Sequence, residues 1–69
     1  MKSKLGFAHN PYEDRILQTL IFAHRELTTR QISLFSGISY NTVKKYLETL
    51  KNNKKVQKKF AGNKIYWEI

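Results

Sequence analysis

The sequence has no cysteine and only one proline, one methionine and one tryptophan among its 69 residues. Without cysteine there is no disulfide, no thiolate metal ligand and no thiol nucleophile, so packing alone must hold the fold. Long apolar runs are missing too. The longest covers residues 20–23, against about 20 residues for a membrane-spanning helix, and Lys2 and Lys4 are not followed by the apolar core of a signal peptide. We therefore expect a cytoplasmic chain, nucleoid-associated if the host is a prokaryote, with no membrane partner.

Catalytic and metal-binding constellations are equally sparse. His9 and His24 have no neighbouring ligands at metal-site spacing, and Glu13 and Asp14 stand together where they suit the positive end of a helix dipole. There is no glycine-rich phosphate loop and no nucleophile, base and orienting group that belong together. The expectation is a non-enzyme with no catalytic residue, no cofactor, no metal and no evident small-molecule effector.

Acidic residues are few: five Asp plus Glu against thirteen Lys plus Arg, for a net charge of +8. Their placement matters more than the total. Residues 1–38 hold five basic and three acidic groups, net +2; residues 39–69 hold eight and two, net +6. A one-sided basic field on a chain this small is the footprint of a polyanion partner, although a solubilising lysine surface has the same composition. The nine aromatics, four Phe, four Tyr and one Trp, suffice for a core and argue against a disordered basic tail.

Residues 1–9 have no periodicity and read as a basic arm; residues 10–69 read as one domain. A first helix is signalled by Asn10 as cap, Pro11 at its first position and Glu13 three residues after the cap. Tyr12, Ile16, Leu17, Leu20, Ile21 and Ala23 share an arc of this helix, which is expected to run to about residue 25. Thr28 and Gln31 repeat the cap spacing for a short second helix over 29–36, with Ile32 and Phe35 expected in the core. Gly37 supplies a left-handed stop, Ile38 an apolar contact and Ser39 the cap of a third helix. That helix segregates Val43, Tyr46, Leu47 and Leu50 from Asn41, Lys45, Glu48 and Asn52. From Val56 the period becomes two, with Val56 and Phe60 on one strand, a turn at Ala61, Gly62 and Asn63, and Ile65, Trp67 and Ile69 on the inward side of a returning strand. Trp67 is thus assigned to the core rather than to base stacking; Tyr66 stays open. The fold class is α+β, mostly α: three helices and a C-terminal β-hairpin.

Ile32, Ser33, Gly37, Ile38, Ser39, Thr42, Val43, Leu47 and Leu50 form a pattern that resembles the helix-turn-helix core of winged-helix transcription regulators. The hairpin at 56–69 stands where that family keeps its wing, so the resemblance covers about residues 10–69. Two positions differ: Ser33 replaces the usual alanine, and Lys54 stands where many members have glycine, leaving Asn53 as the residue expected to turn left-handed.

The resemblance implies a sequence-selective duplex-DNA binder and transcription regulator that inserts residues 39–52 into a major groove about 12 Å wide, with the wing on the backbone or minor groove. By position, Ser39, Asn41, Lys44 and Lys45 meet base edges or nearby phosphates, and Asn41 is suited to pairing with adenine. Tyr40 and Thr42 meet the backbone, Thr42 having helix packing as its alternative. Glu48 either faces a cytosine amino group or orients Lys44 or Lys45. Lys58, Lys59, Asn63 and Lys64 lie on phosphates or beside the minor groove, Gly62 lets the wing tip approach, and Arg30 adds a phosphate contact. Phe22 and Leu34 fall off their core faces, which suggests a homodimer, unless Leu5 or Phe7 of the arm covers Phe22. The rival readings are an architectural or replication-associated DNA binder with little sequence preference, and a protein-interaction domain that binds no DNA.

Overall fold

A computed structural model of the chain describes residues 10–69; the expected arm at 1–9, with Leu5 and Phe7, lies outside the described residues. The elements are α1 (Pro11–Ala23), β1 (Leu27–Thr28), α2 (Thr29–Ser36), α3 (Tyr40–Asn52), β2 (Gln57–Ala61) and β3 (Lys64–Glu68). The α+β, mostly helical layout is the one read from the sequence: three helices followed by a hairpin.

Local chemistry sets most of the boundaries. The Asn10 side chain accepts from the Tyr12 N–H at 2.8 Å, with Pro11 first in the helix and Glu13 and Asp14 in the first turn. α1 stops at Ala23, two residues before the expected end, because His24 takes a left-handed φ of 57° and turns its N–H onto the Ile21 carbonyl. At α2 the Thr28 hydroxyl accepts from Gln31 N–H and the Gln31 side chain accepts from Thr28 N–H, a complete capping box. Gly37, at φ 76°, closes α2. Ser39 holds the cap position of α3 without capping it; its hydroxyl donates to the Thr42 hydroxyl at 2.9 Å instead.

α3 ends in a Schellman motif, with Lys55 N–H on the Leu50 carbonyl and Lys54 N–H on the Lys51 carbonyl. The left-handed residue is Lys54 itself, at φ 61°, and not Asn53, which keeps φ −87°. The motif needs a positive φ one residue past the cap, whatever residue stands there. A left-handed non-glycine costs about 1–2 kcal/mol, more than the roughly 0.5–1 kcal/mol that glycine loses in entropy. Lys54→Gly is therefore expected to raise stability by about 0.5–1 kcal/mol in urea unfolding; a lowered midpoint would contradict this.

The core collects Ile16 and Leu20 from α1, Leu27 from β1, Ile32 from α2, Ile38 from the turn, Val43, Leu47 and Leu50 from α3, then Val56 and Trp67. Leu17, Ala23 and Tyr46 pack against it, whereas Tyr12 and Ile21 are half exposed at the edges of the expected arc. Tyr12 stacks on Tyr46 with centroids 5.6 Å apart. Phe35 is not in the core: it is 62% exposed. Ser36, one turn after Ile32, takes the inward position, where its hydroxyl accepts from Ile38 N–H while the Ser33 hydroxyl donates to the Ile38 carbonyl at 2.6 Å. With about 100° per residue, these bonds rotate α2 so that Phe35 falls outside.

The hairpin is joined by a third strand, β1, where the sequence signals only the cap of α2. β1 pairs antiparallel with β3, Leu27 opposite Trp67 and Thr28 opposite Tyr66, in the order β1-β3-β2. Across β2 and β3, Lys58 opposes Trp67, Phe60 opposes Ile65 and Ala61 opposes Lys64. Ala61 thus belongs to the strand, and the turn is the two residues Gly62 and Asn63. Gly62 carries a positive φ of 64°, as the first position of a tight hairpin turn favours. Inward alternation holds at Trp67, but Ile65 and Ile69, on either side of it, are exposed.

Candidate nucleic-acid interface

Two neighbouring surfaces gather the residues singled out in the sequence. The first is the N-terminal part of α3. Val43, Leu47 and Leu50 bury one side of this helix, which leaves Ser39, Tyr40, Asn41, Lys44 and Lys45 exposed in sequence order along its first turns. Thr42 is half buried and engaged by the Ser39 hydroxyl. No acidic residue stands in the first turn of α3, so the positive end of its dipole adds to the lysines instead of being neutralised. Lys45 Nζ lies 5.6 Å from the Tyr46 ring centroid, a contact that restrains the ammonium beside the helix. Arg30, exposed near the start of α2, borders a shallow depression together with Ser33, Leu34 and Tyr40. That brings Arg30 to the flank of the α3 N-terminus.

The second surface is the wing formed by β2 and β3. Its residues alternate between two faces, so Lys58 and Lys59 do not act together. Lys59, Ala61, Lys64 and Tyr66 share the outer face; Lys58, Phe60, Ile65 and Trp67 share the face turned toward α3. Lys59 Nζ is 3.5 Å from Glu68 Oε2, and Lys64 is exposed beside the Gly62–Asn63 turn. Lys58 is directed at α3, with Nζ 3.4 Å from Glu48 Oε2. The other Glu48 oxygen is 3.8 Å from Lys51 Nζ. Glu48 thus pairs with Lys51 and Lys58, not with Lys44 or Lys45.

The model of the FaeA-like protein family matches residues 12–69, which takes in all but the first residue of α1 and every later element. The chain belongs to the FaeA-like family. That family is of the winged-helix DNA-binding regulator type. No curated protein and no solved structure matches this FaeA-like chain.

In this FaeA-like protein the fold also brings together residues outside the set expected from the sequence. Lys51 and Lys54 come together with Val56, Gln57, Lys58 and Phe60 around a cleft between the end of α3 and the wing. Phe60 is 73% exposed at its rim. Strand alternation carries a signal for Phe60, since it shares Trp67's face; Lys54 needed the helix end to be located first. A separate groove lies between α1 and α2, bordered by Arg15, Phe22, Arg25 and Phe35 with no residue of α3 or the wing. Among the described residues no group of His, Cys, Asp and Glu could hold a metal ion, and no helix is long and apolar enough to cross a membrane.

Proposed function

We propose that this FaeA-like protein is a sequence-selective duplex-DNA-binding transcription regulator, with residues 39–52 seated in the major groove and the 56–69 wing on the backbone or minor groove. The observation that carries this reading is the exposed run of Ser39, Tyr40, Asn41, Lys44 and Lys45 on a helix whose first turn bears no acid. It lies in the half of the chain with net charge +6. Lysines there meet phosphates, Asn41 meets a base edge, and Arg30, Lys59, Asn63 and Lys64 extend the contact along the duplex, with Gly62 at the point of closest approach.

A mobility titration on random duplex DNA at about 50 and 200 mM salt tests it, since each neutralised phosphate contributes about 0.9 to the log–log slope. The expected slope is roughly −4 to −5, from four to six phosphate contacts. Absence of any complex at the lower salt would leave the protein-interaction reading. Binding that never discriminates between sequences would leave the architectural one.

We also propose that the protein acts as a homodimer on a near-palindromic site. Supporting this, Phe22 and Phe35 are 77% and 62% exposed on α1 and α2, beside a groove outside the surface assigned to DNA; Leu34, 70% exposed, borders the depression that Arg30 and Tyr40 share. Light scattering at micromolar concentration is expected to give about twice the 8.2 kDa chain mass; the monomer mass would contradict it.

A further inference from the structure

Lys58 is the most constrained of the wing lysines. Its side chain is 24% exposed, against 56% for Lys59, and its ammonium lies 5.4 Å from the Trp67 ring centroid and 5.6 Å from that of Phe60. Both rings are on the wing, so the wing itself aims Lys58 at α3. There it meets Glu48, the one acid of α3. Trp67 is in turn fixed to α2 by its indole N–H, which donates to the Thr29 hydroxyl at 2.9 Å. The pair Lys58–Glu48 therefore spans the two parts of the DNA surface and is backed by a side chain that cannot move freely. The Lys59–Glu68 pair, exposed and within the wing, has no such backing, and isolated surface pairs contribute little.

We propose that Glu48 is a positioning residue that acts through Lys58: its carboxylate occupies the place a phosphate oxygen would take on that ammonium and so withholds one lysine of the wing from the DNA backbone. The inference rests on the reading that α3 and the wing bind duplex DNA. Its consequence is a limit on non-specific affinity. Binding to arbitrary sequence is almost wholly phosphate neutralisation, so each lysine held internally weakens it, while a base contact from Asn41 is untouched. A phosphate contact contributes about equally on every sequence, so the internal carboxylate lowers the affinity for all duplexes and leaves discrimination to the base contacts, without removing a lysine that anchors the wing.

The pairing is first read without DNA, by timed acetylation of the full chain and mass spectrometry. Lys58 is expected to react several-fold more slowly than Lys64, and Glu48→Gln is expected to bring the two rates together. Equal rates in the unaltered protein would overturn the pairing. The DNA consequence is then read as a cycle on random duplex. Glu48→Gln is expected to bind roughly three- to tenfold more tightly near 0.1 M salt and to steepen the log–log slope by about 0.9, one additional phosphate contact. In a Lys58→Gln background the same substitution is expected to leave the slope unchanged. A slope change that persists there would mean Glu48 acts by its own repulsion of phosphate or by holding Lys51, its other partner, and would overturn the proposal. Circular dichroism on each variant checks that it is folded; should Lys58→Gln fail, Lys58→Met keeps the stem that packs on the rings. If the unaltered protein forms no complex at low salt while Lys58 is protected, the DNA reading fails, and with it the proposed consequence, but the pairing does not.

Discussion

Trp67→Ala is expected to destabilise the domain by about 3–5 kcal/mol, the range for removing a buried aromatic. The residue is 2% exposed. It sits in the central strand of the sheet, opposite Leu27 on one side and Lys58 on the other, so its loss opens a void where β1, β3 and the helices meet. The Thr29 hydroxyl also loses its donor. Domains of this size have roughly 3–10 kcal/mol of stability in all, and each kcal/mol moves the midpoint by about 4–8 °C. The thermal midpoint is therefore expected to fall by at least about 12 °C. Trp67→Phe, which keeps an apolar ring and removes the N–H, is expected to lose only about 1–2 kcal/mol. A Trp67→Ala protein with a midpoint within a few degrees of the unaltered one would remove Trp67 from the core.

Asn41→Ala is expected to weaken binding to a selected duplex by about 1–3 kcal/mol, between fivefold and more than a hundredfold, and to leave a scrambled duplex of the same length nearly unaffected. Asn41 is exposed in the first turn of α3, where an amide can discriminate donor from acceptor on a base edge as a lysine cannot. Glu48 is not assigned that role, because both of its oxygens lie near lysines of the protein. The measurement is a selection from random duplexes, followed by titration of both proteins on the winning and scrambled sequences. Equal losses on both, or no preferred sequence, would replace selective readout by architectural binding.

The helices were legible in the sequence because their ends are chemically marked. Asn10 with Pro11, Thr28 with Gln31, and Gly37 each carry their signal within a few residues, and α3 declares its buried side through Val43, Leu47 and Leu50. What was not legible depends on partners far along the chain. β1 is two residues long and exists because Trp67 and Tyr66 lie beside it. Phe35 was displaced by Ser36, whose inward position follows from hydrogen bonds across the turn to Ile38 and not from apolar periodicity. Lys54 adopts the left-handed conformation because of where α3 stops. The site divides the same way. The exposed residues of α3 follow from helical period alone, whereas the pairing of Lys58 with Glu48, ten positions apart, required the wing to be folded back onto α3.

The most direct test of α3 and the wing as a DNA surface is a titration of isotopically labelled protein with duplex DNA, followed by backbone amide chemical shifts. The largest changes are expected over residues 39–45 and 59–64, with Arg30 among them and with Phe22 and Phe35 little affected at the first additions. Changes concentrated instead along the α1–α2 groove, with residues 39–45 unmoved at saturating DNA, would contradict it.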